Sequence, residues 1–220
     1  HTNDSKIPHV RTSSREYDSR VRLEKLTANW YSRPAQNVFS RVTVGYLESM
    51  YGGVSGEVLW KKPSSPFALG AELNYAVQRD FEDPFGFRDY DMMTGHVSAY
   101  YAFEGGFHGQ LDVGRYLAGD WGATVSVDRE FNNGWRVGAY ATLTDVPFED
   151  FGEGSFDKGI RITVPSAWFA GTPTTETSDF VIQSLTRDGG AKVNVGGRLY
   201  DRVRGMQGAD VESRWGKFWR

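Results

Sequence analysis

Strict alternation of apolar and polar side chains is the feature that most restricts how this chain can fold. In residues 67–78 one face reads Phe67, Leu69, Ala71, Leu73, Tyr75, Val77, and the other Ala68, Gly70, Glu72, Asn74, Ala76, Gln78. Residues 121–131 set Trp121, Ala123, Val125 and Val127 against Gly122, Thr124, Ser126, Asp128 and Glu130. Residues 135–143 set Trp135, Val137, Ala139, Ala141 and Leu143 against Arg136, Gly138, Tyr140 and Thr142. Side chains of an extended strand point alternately to opposite faces, so a period of two predicts strands with one apolar face. Helical spacing fits none of these runs.

The same reading predicts strands at 20–32, 37–48, 54–61, 94–103, 107–116, 159–164, 180–186 and 192–203, with 6–12 a weaker addition. Asn132-Asn133-Gly134 and Glu104-Gly105-Gly106 are tight hairpin signals, because Asn and Gly accept the positive φ such turns require. Counting two strands at a time, one edge collects short connections at 33–36, 63–66, 104–106 and 132–134. The other collects 49–53, 79–93, 117–120 and 145–157, two of them long. Residues 165–179 break the rule, being long on the short edge. Outer-membrane barrels show this asymmetry, with short periplasmic turns and longer outer loops. Aromatics gather where strands meet turns, Phe103 with Phe107 and Phe131 with Trp135, as in the girdles of such barrels. The expectation is an all-β fold: an antiparallel transmembrane β-barrel of about 10–12 strands. Residues 20–220 form the barrel domain, and 1–19 an N-terminal extension or the end of an upstream region. The chain opens on His1 rather than Met and reads as a mature product or a fragment.

Composition narrows the alternatives. Hydrophobic residues make up 39% of the chain, and no stretch approaches the roughly 18 apolar residues of a spanning helix. Barrel strands alternate lipid-facing with lumen-facing residues, so modest average hydropathy does not exclude a membrane. The chain has no cysteine, which removes disulfides, thiol nucleophiles and thiolate metal sites. A net charge of −3 argues against a nucleic-acid partner. His1, His9, His96 and His108 show no metal-ligand spacing. Neither a GxSxG nucleophile nor a phosphate loop is present.

Several runs resemble a known family: YGGVSGEVL at 51–59, ALGAELNYAVQRD at 68–80, FGFRDY at 85–90, TGHVSAYY at 94–101 and GRYLAGDWGA at 114–123. FNNGWRVGAYATLTDVPF at 131–148, FGEGSFDKG at 151–159 and RDGG at 187–190 join them. Together these are similar to the YjbH/GfcD-like family of exopolysaccharide-biosynthesis proteins, in its C-terminal portion. The resemblance implies an outer-membrane barrel in a Gram-negative bacterium, encoded beside polysaccharide secretion components. It carries over no catalytic residue and no cofactor.

The long loops combine carboxylates with aromatic rings. Phe85, Phe87, Asp89, Phe148, Glu149, Phe151 and Asp157 are the residues expected to contact saccharide or a partner. Sugars stack their C–H surfaces on aromatic faces, whereas a glycosidase would need a carboxylate pair with one member kept protonated by burial. The functional expectation is therefore a non-catalytic component of exopolysaccharide biosynthesis or secretion in the outer membrane. Its partners would be outer-membrane lipid, polysaccharide and other secretion proteins. A closed structural barrel without transport is the alternative, and a polysaccharide-modifying enzyme comes third. Ten to twelve strands leave a narrow interior, lined here by Glu57, Glu72, Asp128, Glu130 and Arg136.

Overall fold

A computed structural model describes residues 8–13, 23–83, 85–131, 133–147, 157–165, 177–183 and 188–204. Its strands are β1 (Leu26–Ala35), β2 (Val38–Tyr46), β3 (Tyr51–Lys61), β4 (Phe67–Arg79), β5 (Phe87–Ala102), β6 (Phe107–Arg115), β7 (Trp121–Glu130), β8 (Arg136–Thr144), β9 (Asp157–Pro165) and β10 (Thr177–Gln183). They form one ten-stranded sheet in simple sequence order, an antiparallel meander without crossovers. Among the described residues no ladder joins β1 to β10. The chain divides into two compact units. One holds residues 13–99 and 192–220; the other holds 1–12 and 100–191.

Ten predicted strands are present with shifted ends, and two are corrected. Residues 192–203 form no strand. They run irregularly to Arg198 and then into a short helix, α1 (Leu199–Val203). Val193 and Val195 continue the alternation, but Gly196 and Gly197 interrupt it, Gly197 at φ +71°. Beyond them Leu199, Tyr200 and Val203 are buried at helical spacing. Within 6–12, the described residues 8–12 make bends and the start of a 3₁₀ turn. The supposed loop 79–93 is also shorter than expected, at 80–86, because β4 runs through Arg79 and β5 starts at Phe87.

The faces of the sheet are inverted relative to a water-soluble domain. In the unit built on β1–β5, Arg41, Thr43, Ser55, Glu57, Asn74, Gln78, Thr94 and His96 are buried. Their neighbours Val42, Val44, Val54, Val58, Leu69, Leu73 and Val97 are exposed, Leu73 by 60% and Val97 by 63%. In the unit built on β6–β10, His108, Asp112, Thr124, Thr142 and Thr163 are buried while Leu111, Val113, Val125, Val127, Leu143 and Ile160 are exposed. The alternation read from sequence is present, and its polar side is the covered one.

Two glycines let β3 pack closely. Gly45 and Gly53 are register partners at φ +130° and +143°. A Cβ on Gly53 would strike the Tyr75 carbonyl of β4, whereas one on Gly56 would meet nothing within 4 Å. Gly53→Ala is expected to cost about 2–3 kcal/mol, from combined strain and clash. Gly56→Ala should stay within about 0.5 kcal/mol of wild type. Urea unfolding of the refolded protein measures both.

Candidate functional site

Register sets a row of charge across the polar face of β1–β4. Tyr31 pairs with Arg41, Arg41 with Glu57, and Glu57 with Glu72, so their side chains line up strand by strand. Arg41, 1% exposed, donates from Nε to Glu57 Oε2 at 2.9 Å and from Nη2 to Glu72 Oε2 at 3.2 Å. Two further N–H groups reach Ser55 and Thr43. Asn74, next along β4, donates to Glu72 Oε1 and Thr94 Oγ1.

Residues 193–199 lie over this row as a strap. Arg198 grips Glu72 bidentately, at 2.9 and 3.0 Å, and donates back to the Val193 carbonyl. The Leu199 N–H donates to Glu57 at 3.0 Å. Arg41 Nη1 and the Tyr31 hydroxyl donate to the carbonyls of Gly196 and Gly197. Glycine is needed at 197 for its left-handed φ of +71°, and a Cβ there would also displace the Tyr31 hydroxyl. All four carboxylate oxygens of Glu57 and Glu72 thus accept charge-assisted or backbone hydrogen bonds. The arrangement suits holding a segment in place; both carboxylates are engaged by guanidinium groups.

The other unit holds a smaller clasp at Asp188 in the RDGG run. Its carboxylate accepts from the Arg11 and Thr12 N–H groups and from the Thr12 hydroxyl at 2.7 Å, with His9 Nδ1 at 3.2 Å. Two residues on, the Gly190 N–H donates to Asp120 Oδ2 at 2.7 Å, and the Leu117 N–H to the Ala191 carbonyl. Burial raises the Asp120 pKa, opposed by the Gly190 N–H, its own N–H and the Thr144 hydroxyl, with nearby Asp145 adding to the rise. Below it Tyr116, Thr124 and Thr142 form a hydroxyl chain with links of 2.6 and 2.9 Å.

The aromatic loop at 80–86 is built by its own carboxylates. Asp80 accepts from the Glu82 and Asp83 N–H groups, and Asp83 from that of Phe85. Such Asx turns fix a loop without secondary structure. Phe85 and Phe87 come together on Tyr46, with ring centroids 6.4 and 5.8 Å from it. Gly52 leaves room for the Phe87 ring. The Arg79 guanidinium stacks on Tyr46 at 4.3 Å and donates to the carbonyls of Leu23, Glu48 and Ser49. The outer rings stay 69% and 50% exposed, an open platform on a fixed base. Asp89 shares the outward face of Phe87 on β5. Asp157 opens β9, in the other unit. Phe148, Glu149 and Phe151 lie outside the described residues. Among the described residues no group of three or more His, Asp or Glu is placed to hold a metal ion.

Sequence reasoning missed Tyr46 and Arg79 as the base of the platform, and Arg41 and Arg198 as the clamps on the polar face. The only legible signal was an arginine followed by a glutamate on each of the next two strands, and a Gly-Gly break before Arg198.

An antiparallel meander with exposed apolar strand faces and a strap-covered charged face is the class of protein these features define. The YjbH family model, described as "Exopolysaccharide biosynthesis protein YbjH", matches residues 1–205. A protein of Escherichia coli (strain K12) named "Uncharacterized lipoprotein YjbH" is 40% identical over 204 residues, which cover 90% of this chain and 29% of the relative. No solved structure matches. The chain belongs to the YjbH exopolysaccharide-biosynthesis family and spans less than a third of that relative's length.

Removing Arg198 leaves Glu72 beneath the strap with one cation fewer. Arg198→Ala should destabilise the protein by about 3 kcal/mol, and adding Glu72→Gln should recover part of that loss. Equilibrium unfolding of the two variants and the wild type checks the coupling. At Asp120, a pKa raised on folding means a stability contribution present below the ordinary carboxyl range and lost as pH rises through the folded value. Asp120→Asn keeps an acceptor for Gly190. Its stability relative to wild type should therefore improve as pH rises from the acid range to neutrality, as followed by unfolding at a series of pH values.

Proposed function

We propose that this chain is a membrane-spanning β-barrel domain of the bacterial outer membrane that takes part, without catalysis, in exopolysaccharide production or secretion. The carrying observation is the inversion of the sheet. Water favours burying apolar surface, at about 25 cal/mol per Å², so a soluble sheet turns its valines and leucines inward. Here they point outward on β2 through β9 while arginine, glutamate and threonine are covered. Hydrocarbon as the outer solvent removes the contradiction.

The length of the apolar band supports the same reading. The outward file of β5 is Phe87, Asp89, Asp91, then Met93, Gly95, Val97, Ala99 and Tyr101. From Met93 to Tyr101 it rises about 27 Å along the strand. Tilted as barrel strands are, that covers most of an apolar band about 25 Å tall. Asp89 and Asp91 would then stand beyond the hydrocarbon and carry the 80–86 loop into the medium. A sheet crossing lipid leaves no edge unpaired, so closure into a barrel is part of this proposal. The lipoprotein name of the relative agrees with a membrane location.

Within this reading the Tyr46–Phe85–Phe87 platform contacts saccharide or a secretion partner, and the strap narrows the polar side of β1–β4. A scaffold or gated narrow path follows more readily than an open polymer channel.

The test places charge on either face. Lysine at Leu73 or Val125 should cost about 2–4 kcal/mol near the midplane, while lysine at Ser126 should be tolerated. Folding titrations in lipid vesicles report the difference, and equal damage on both faces would overturn the barrel. For the functional half, Phe85→Ala with Phe87→Ala should lower exopolysaccharide export with heat-modifiable gel migration intact. A single carboxylate change that abolished export and altered polymer length would point to an enzyme instead.

A further inference from the structure

The outward face of β7 carries a cation where hydrocarbon-facing residues are expected. Its file reads Trp121, Ala123, Val125, Val127, Arg129, and Phe131 follows the strand end. Arg129 is exposed. Its guanidinium carbon lies 5.1 Å from the centroids of both Phe107 and Phe131. Phe107 is its register partner on β6, and Phe131 sits two residues along the same face, so pairing geometry builds the clamp. Among the described residues no hydrogen bond or ion pair engages this guanidinium. The other unit repeats the device on β3, where Lys62 Nζ stands 5.7 Å over the Trp60 ring at the β3–β4 turn. Lys62 likewise has no carboxylate partner among the described residues. Both cations sit on outward aromatic residues at short connections between strands.

A guanidinium over aromatic rings gives up none of its N–H donors to them, and those donors bind phosphate bidentately. Among the described residues no carboxylate pairs with Arg129, and its outward neighbours Phe107, Phe131 and Val137 are apolar. The chemistry that completes such a site is an anionic headgroup on an apolar tail. We infer that Arg129, between Phe107 and Phe131, binds the phosphate headgroup of an anionic phospholipid, with Lys62 over Trp60 a second, weaker point. The inference rests on the membrane-spanning reading and adds the lipid class and the residues that select it. Short turns face the periplasm in outer-membrane barrels, so the lipid would belong to the inner leaflet.

The experiment uses the protein inserted into nanodiscs of phosphatidylcholine with a minor fraction of phosphatidylglycerol, and measures lipid retained on the protein by native mass spectrometry. Wild type should retain phosphatidylglycerol preferentially. Arg129→Gln and Lys62→Gln should each weaken that preference, by about fivefold for a cation at an anionic membrane surface. Arg129→Lys should fall between, keeping the charge without the fork. Lys158→Gln, a change away from both turns, should match wild type. Correct insertion with the same phosphatidylglycerol preference in Arg129→Gln and wild type would overturn the headgroup site and leave the membrane reading standing. Failure of wild type to insert, judged by heat-modifiable migration and vesicle flotation, would overturn both.

Discussion

The hydrogen-bonded charge row Arg41–Glu57–Glu72–Arg198 is the interaction on which the β1–β4 half of the chain depends. A carboxylate removed from water carries a desolvation penalty of several kcal/mol, recovered only when its oxygens are paired with good geometry. The register supplies the first three members, and the strap supplies the fourth together with the Leu199 N–H. Neither part is satisfied alone. The sheet without the strap would leave Glu72 with Arg41 as its one cation, and the strap without the sheet would lack the Glu72 carboxylate that Arg198 grips. This mutual dependence explains why an irregular segment so rich in glycine and valine holds one position.

The second unit uses weaker chemistry for a similar end. Asp188 collects two backbone N–H groups and a hydroxyl from residues 11–12, and Asp120 receives Gly190. Each carboxylate tethers a segment remote in sequence. In both units, then, the polar face of the sheet is occupied by the chain's own segments, and the apolar face is left for the surroundings. That division fits the proposed membrane domain, in which the apolar face would meet lipid and the polar face of β1–β4 carries paired charge.

The exposed features fall into two chemistries. The Tyr46–Phe85–Phe87 platform joins a loop tied by Asx turns to a Tyr46 ring braced by Arg79, so its rings present area at little further entropic cost. The Arg129 and Lys62 positions pair a cation with apolar rings, which suits an amphiphile rather than a neutral sugar. Loop carboxylates that looked available for catalysis are in part consumed in folding, Asp80 and Asp83 above all. A charge-dense loop read from sequence overstates its reactive groups for this reason.

The sequence by itself determined the strands, their faces and most of their connections, because a period of two and a few Asn and Gly turns act locally. It also revealed the family, through runs such as FGEGSFDKG, and the apolar file on each strand. It could not tell which face is covered, since alternation is symmetric between inside and outside until something packs against one side. It misplaced 192–203 as a strand, because Val193 and Val195 alternate there, and only the absence of a pairing neighbour and the partners offered by Glu57 and Glu72 make that segment a strap. Arg41, Arg79 and Asp188 acquired their roles the same way. Each is a charged residue of ordinary appearance in the chain, and its distant partners lie between 14 and 179 positions away, brought within reach only by register and tertiary packing.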